Sequence, residues 1–306
     1  MKRIKVLLLL SFALGLVACG NKKEEVKKPE TNKTEQTETK EEDVIEEDTD
    51  DSVISIELSN SSILVEGEEI SEHTEGAVYK ANDIIFYLEG QGITYGEGEA
   101  EDEHFQAEAD AHTVVHITEP GTYEISGKME AGQIFVDLGE DAEHNENAVV
   151  NLILNDVDIT CTVAPAIFFY NVYECSENDV ENASMDVDLS SAGANLILAD
   201  GTTNEVYGSY VAKIYKSYEL NEEGTEVVDS KKLHKYDAAV YSKMSMNVIG
   251  DTGVLNIKAE NEGLDTELHL AIQGGEINIA SGNDGINVNE DGVSVFAMNG
   301  GKLNIT

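Results

Sequence analysis

Asn261-Glu262-Gly263-Leu264 and Asn283-Asp284-Gly285-Ile286 stand 22 residues apart as two copies of one short unit, and their reading decides the fold. Each copy opens on an acidic Asn/Asp-Gly turn and alternates polar with apolar residues as far as a Gly-Gly pair, Gly274-Gly275 or Gly300-Gly301. Each closes on a β-prone triplet, Ile277-Asn278-Ile279 or Leu303-Asn304-Ile305. Leu255-Asn256-Ile257 lies a further 22 residues upstream of Ile277-Asn278-Ile279. A unit this short cannot enclose its own apolar face, so it must stack on its neighbours.

Working outward, Asn151-Leu152-Ile153-Leu154 returns as Asn195-Leu196-Ile197-Leu198 after 44 residues, twice the period. Insertions stretch the unit at Ser176 to Ser191, at Asp251-Thr252 and at Lys216 to Tyr236. The last is a charged excursion around Asn221-Glu222-Glu223-Gly224 that reads as a projecting hairpin. Strand-like segments fall at Val53 to Leu58, Ile84 to Leu88, Thr113 to Ile117, Tyr123 to Ser126, Ile134 to Leu138, Val149 to Leu154 and Ala166 to Tyr170. No apolar pattern at helical spacing is sustained. The expectation is an all-β chain, a parallel β-helix (solenoid) of about 22 residues per coil, in which each strand pairs with its counterpart in the next coil about 4.8 Å away.

Residues 1–19 carry a basic start (Lys2, Arg3, Lys5), an apolar run too short to span a bilayer, and Leu16-Val17-Ala18-Cys19. That is a signal peptide ending in a bacterial lipobox-like sequence, which implies cleavage before Cys19 and lipid attachment, with palmitate among the acyl groups. The mature protein is expected on the outer face of the cell membrane, held by the anchor. Residues 20–52, rich in Lys, Glu and Thr, lack the apolar content to fold and read as a disordered tether. Residues 53–112 read as an N-terminal β region and residues 113–306 as the repeat domain.

From Asp51 onward the chain holds 10 lysines, no arginine and 49 acidic residues. Such a surface repels phosphate backbones and excludes nucleic acid as a partner. Self-repulsion on this scale strains a compact state unless cations bind. A metal ion is therefore an expectation. The chain favours a monomer, although nothing in it fixes an oligomeric state.

The segments ITEPGTYEISGKMEAGQIFVDLG, NLILNDVDITC, LILADGTTN, YDAAVYSKMSMNVIG and the NDGI units together resemble the clostridial carbohydrate-binding domain with a right-handed parallel β-helix, similar in architecture to calcium-dependent pectate lyases. The resemblance is clear from about Thr113 to Thr306 and looser before it. It implies extracellular binding of plant cell-wall polysaccharide, pectin-like acidic chains or cellulose-like glucans, with bound Ca²⁺. The chain stops just after Gly300-Gly301 and inside a strand, and relatives of this kind continue through further Asp-Gly coils, so the natural protein is expected to extend beyond Thr306.

Stacking the repeats places Asp237, Asn261 and Asn283 in one row, Ala238, Glu262 and Asp284 in the next, and Tyr241, Asp265 and Asn287 beyond the apolar Val240/Leu264/Ile286 row. Two carboxylates stacked about 4.8 Å apart repel by about 3 kcal/mol at an effective dielectric of 20, and a hard cation taking several oxygens removes that repulsion. Glu262, Asp265, Asn283 and Asp284, with Asp291 nearby, are the candidate Ca²⁺ ligands. The same residue types also populate turns and ladders without a metal.

With 12 tyrosines and no tryptophan, sugar contacts would fall to tyrosine. Tyr210, Tyr236 and Tyr241, together with Lys243, are the candidates, and packing of the hairpin onto the body is the competing role. His112 and His116 share a strand face with His104 upstream, but no ligand spacing marks them as a zinc site. Cys161 and Cys175 lie in a compartment that permits a disulfide, and equally in apolar surroundings that suit free thiols. No catalytic residue is assigned. A pectate-lyase-like enzyme needs a base beside its Ca²⁺; no arginine follows Arg3, and Lys235, Lys243, Lys258 and Lys302 lie in no catalytic motif. A binding module is favoured over a lyase, and a structural adhesin is the third reading.

Overall fold

The computed structural model describes residues 52–72, 76–176 and 179–306. The signal segment, Cys19 and the tether up to residue 51 lie outside the described residues. The described chain is all-β. Its one α-helix among those residues is the four-residue Gln106–Ala109.

Apolar residues alternate with polar ones along several strands, Val254–Ala259 and Glu276–Ser281 among them, so one face turns inward and the other outward. Val150–Cys161 shows this best, with Val150, Leu152, Leu154, Ile159 and Cys161 all fully buried. Asp156 bends this strand through a left-handed conformation (φ 56°), and its carboxylate accepts from the Thr203 N–H at 3.1 Å. Asp tolerates that backbone region better than most residues.

Two large sheets follow. The first has 13 strands, nine of them in the order Phe296–Met298, Leu270–Ile272, Met246–Ile249, Ala194–Leu198, Val150–Cys161, Thr203–Gly208, Val254–Ala259, Glu276–Ser281, Lys302–Ile305, with every neighbouring pair parallel. The second has seven strands, ordered Ile286–Val288, Glu262–Thr266, Ala238–Ser242, Ile167–Asn171, Gly132–Asp137, Thr113–Ile117, Val78–Ala81. All its pairs are parallel except the last, which is antiparallel.

The sequence repeats are register partners. Asn151 aligns with Asn195, and Leu255-Asn256-Ile257 aligns with Ile277-Asn278-Ile279 and then with Leu303-Asn304-Ile305. The middle asparagines form a ladder: Asn278 Nδ2 donates to Asn256 Oδ1 at 2.9 Å, and Asn304 Nδ2 to Asn278 Oδ1 at 2.6 Å. The flanking isoleucines and leucines of the first two triplets are buried in the apolar core. The glycines of the two quoted units are fixed by close packing. A Cβ at Gly263 would collide with Ile279 and the Gly285 carbonyl, and one at Gly285 with Ile305.

Insertions behave as local additions. Thr252 of the Asp251-Thr252 insertion donates through its N–H and its hydroxyl to Asp200, each at 3.1 Å, and clips one turn onto the next. The charged excursion is an antiparallel hairpin of Val211–Leu220 and Val227–Tyr236. One expected strand does not form. Ile84 to Leu88 runs as loop with a single bridge from Leu88 to His104, because Ile84 and Tyr87 are buried by packing this loop onto the core without a ladder partner alongside.

Candidate metal centre

One row of aligned positions crosses the seven-stranded sheet. In register order it reads Tyr79, His116, Phe135, Phe168, Tyr241, Asp265, Asn287. Its first five members are rings and its last two are polar. Phe168 meets Phe135 and Tyr241 edge-on, with centroids 5.1 and 5.2 Å apart, and His116 stacks on Tyr79 at 4.4 Å.

At the polar end the backbone of Asp237 passes beside the Glu262–Thr266 strand, accepting from the Glu262 N–H at 3.0 Å and from Asn261 Nδ2 at 3.1 Å. This brings the carboxylates of Asp237, Glu262 and Asp265 together, with one oxygen from each within 4.8 Å of the others. All three residues are buried, Asp265 completely. Such a concentration of buried charge is costly without compensation.

Compensation is partial. Lys235 Nζ sits 2.9 Å from Asp237 Oδ2, Asn287 Nδ2 donates to both Glu262 oxygens at 3.3 and 3.4 Å, and Asn289 Nδ2 donates to Asp265 Oδ1 at 2.7 Å. Asp265 Oδ2 has no hydrogen-bond partner although it is buried. Burial first, and then the neighbouring Glu262 carboxylate, pushes Asp265 up to about 8. Burial and then Asp237 push Glu262 up to about 7. Asp237 is also raised, by burial, with Lys235 opposing.

A hard cation fits this donor set. Two Ca–O bonds end to end span about 5 Å, enough to bridge carboxylate oxygens that lie within 4.8 Å of one another, and the orphaned Asp265 oxygen supplies an unused acceptor. These three residues would hold the ion, with Asn287 and Asn289 orienting the carboxylates from behind.

Glu262 and Asp265, which the repeat alignment set in different rows, lie on one strand and converge there with Asp237. Asn283 and Asp284 are exposed on the turn beside the cluster, and their main chain joins the ladder through Asn283 N–H to Asn261 O (2.9 Å) and Gly263 N–H to Asp284 O (3.0 Å). Asp291 is exposed on a separate turn. Asp237 stood in the stacked row but not among the candidate ligands, and the structure adds it to Glu262 and Asp265. Asn289 lies beyond the strand, where no periodicity marks it.

The aromatic candidates are packed inward. Tyr241 is buried, and its hydroxyl donates to Glu267 Oε1. Tyr236, at the base of the hairpin, is buried against Phe168 (4.5 Å) and Tyr241 (5.4 Å) and pairs with His234 Nδ1. Tyr210 is half-buried and donates to Asp102 Oδ1 at 2.5 Å. Lys243 lies 4.1 Å from the Tyr170 ring centroid, and burial lowers its pKa.

Cys161 and Cys175 are each free, the first buried and the second half-buried. The histidines are separately engaged: His116 Nε2 with Asp83 Oδ1 (2.9 Å), His104 Nδ1 with Glu108 Oε2 (3.2 Å), and His112 with the Glu108 carbonyl and the Thr162 N–H. The lysines from Lys235 onward are engaged too. Lys302 pairs with Glu276, Lys258 lies over Tyr207, and Lys235 is held by Asp237, whose hydrogen bond raises the lysine pKa and keeps the amine protonated, with no free lone pair to accept a proton.

A family model described as "Carbohydrate-binding domain-containing protein" matches residues 111–306. A protein of Acetivibrio thermocellus bearing the same description is 30% identical over 166 residues, 54% of this chain and 44% of that protein. The chain therefore matches under half the length of this relative. No solved structure matches.

Proposed function

The chain belongs to the carbohydrate-binding domain family over residues 111–306, and on that premise we propose that it is an extracytoplasmic binder of plant cell-wall polysaccharide, anchored through lipid on Cys19 and stabilised by Ca²⁺. In this reading the parallel strands of the two large sheets form the faces of a right-handed β-helix, with the hairpin as an insertion on its outside. The observation that carries the cation is the buried Asp237, Glu262 and Asp265 trio with its unpartnered Asp265 oxygen. Its burial supports an ion that cross-links adjacent strands, Ala238–Ser242 to Glu262–Thr266, more than one that bridges to a uronate outside.

Binding is favoured over catalysis on chemical grounds. A lyase needs a base beside the ion to take the α-proton of a uronate. Lys235 is the amine nearest the cluster, and Asp237 holds it in its protonated form. Retention on insoluble cellulose and on pectin, with Ca²⁺ and with a chelator, tests the reading. Binding to at least one polymer is expected, with no unsaturated ends released from polygalacturonate. Retention by neither would point to the adhesin, and unsaturated products would establish the lyase.

A further inference from the structure

The proposed cation is buried, so the sugar must be met elsewhere, and the aromatic half of the row offers a place. A pocket of about 90 Å³ opens there, lined by Phe135, Phe168 and Tyr236 and by Asp83, His116 and Gln133. Its rings are mutually inclined: Phe135 and Phe168 stand at 90°, Phe168 and Tyr236 at 61°. They therefore wall a hole and do not present one flat platform. At its mouth Phe135 is half-buried and the Asp83 side chain is 51% exposed, with Asp83 Oδ1 2.9 Å from His116 Nε2.

Size and chemistry narrow the occupant. The volume exceeds the about 10–15 Å³ that one water requires and falls below the about 150 Å³ of a cavity that takes a whole benzene ring. It suits a small projecting group whose parent ring stays at the mouth. Apolar walls accept a methylene, while the Asp83–His116 pair offers polar partners to a hydroxyl. A carboxylate would lose its hydration and meet the Asp83 charge, both unfavourable.

The geometry points to a subsite for the exocyclic hydroxymethyl arm of a neutral hexopyranose, such as a residue of a β-glucan. This rests on the carbohydrate-binding reading and specifies it, separating a neutral-sugar pocket from the acidic cluster. Phe135 and Asp265 are three strand steps apart along the row, about 14 Å. A pentose lacks the arm and a uronate replaces it with a carboxylate, so the pocket would discriminate against xylan-type and pectin-type residues.

Calorimetric titration of the full chain with cellotetraose, xylotetraose and tetragalacturonate tests this. Cellotetraose is expected to bind, with xylotetraose about tenfold or more weaker, as for loss of one small group from a fitted pocket. Phe135→Ala is expected to weaken cellotetraose about tenfold. Asp83→Asn, at an exposed side chain, is expected to weaken it about fivefold and serves if Phe135→Ala does not fold. Equal cellotetraose affinity in the wild type and the folded variants would overturn the pocket while leaving the carbohydrate reading intact. Xylotetraose binding as tightly as cellotetraose would overturn the hydroxymethyl assignment. Binding of none of the three would remove both the subsite and the reading beneath it.

Discussion

Asp265 is fully buried, has one oxygen without a partner, and sits beside two other carboxylates. In chelator-treated protein its charge works against folding, since raised folded pKa values mean that the native state holds protons more tightly than the unfolded chain. The unfolded carboxylates titrate near 4, and the folded pair is pushed up to about 7 for Glu262 and about 8 for Asp265. This cluster's contribution to stability should therefore fall as pH rises from about 4 to about 8 and then level off. Asp265→Asn should flatten that slope, measured as melting temperature against pH in chelator; an unchanged slope would show that the cluster does not titrate as a unit. The same variant carries an opposite-signed pair of effects. Without Ca²⁺ it should be more stable than the wild type at pH 8 by about 1–3 kcal/mol, as expected when a poorly compensated buried charge is removed. With Ca²⁺ it should gain little while the wild type gains, read by calorimetry. A merely structural Asp265 would lose stability in both conditions.

The strands and turns offer a second kind of test. Gly263 and Gly285 are equivalent in sequence, and each lies where an added Cβ would strike an isoleucine of a triplet, Ile279 or Ile305. Gly263→Ala should cost about 1–3 kcal/mol through overpacking, measured by urea denaturation. Replacing residues 221–226 at the exposed hairpin tip by a short turn should cost under about 0.5 kcal/mol. These contrasts explain what was legible in the sequence. The triplets and NEGL/NDGI units could be aligned because equivalent neighbours solve the same packing problem, and that alignment sets Tyr241 beside Asp265, its register partner. Ile84 to Leu88 misled because β-branched and aromatic residues are buried by loop packing as readily as by a ladder. The inward packing of Tyr236 and Tyr241 was legible only as the competing role, since the choice between packing and exposure depends on where the hairpin base folds back, which composition does not encode.

At the scale of the whole molecule, 49 acidic residues against 10 lysines after residue 50 make electrostatics a global term. Two separable responses follow from where those charges lie. Most are exposed, where monovalent salt screens repulsion over a Debye length of about 10 Å at 0.1 M. Raising NaCl from low to moderate concentration should therefore raise the melting temperature of the chelator-treated protein gradually. The Asp237, Glu262 and Asp265 oxygens are buried within 4.8 Å of one another, where the salt atmosphere scarcely enters. Millimolar Ca²⁺ should therefore add a saturable increment beyond the effect of NaCl at equal ionic strength, following the mass action of a single tight site. Mg²⁺ should give less, because it surrenders its waters reluctantly and demands stricter geometry than this mixed cluster offers. Differential scanning calorimetry across the three salts separates the cases. A Ca²⁺ response that merely tracks ionic strength would assign the stabilisation to diffuse screening and leave the cluster as three buried acids that share protons; a saturable response lost in Asp265→Asn, with the NaCl dependence retained, would place the ion among these carboxylates.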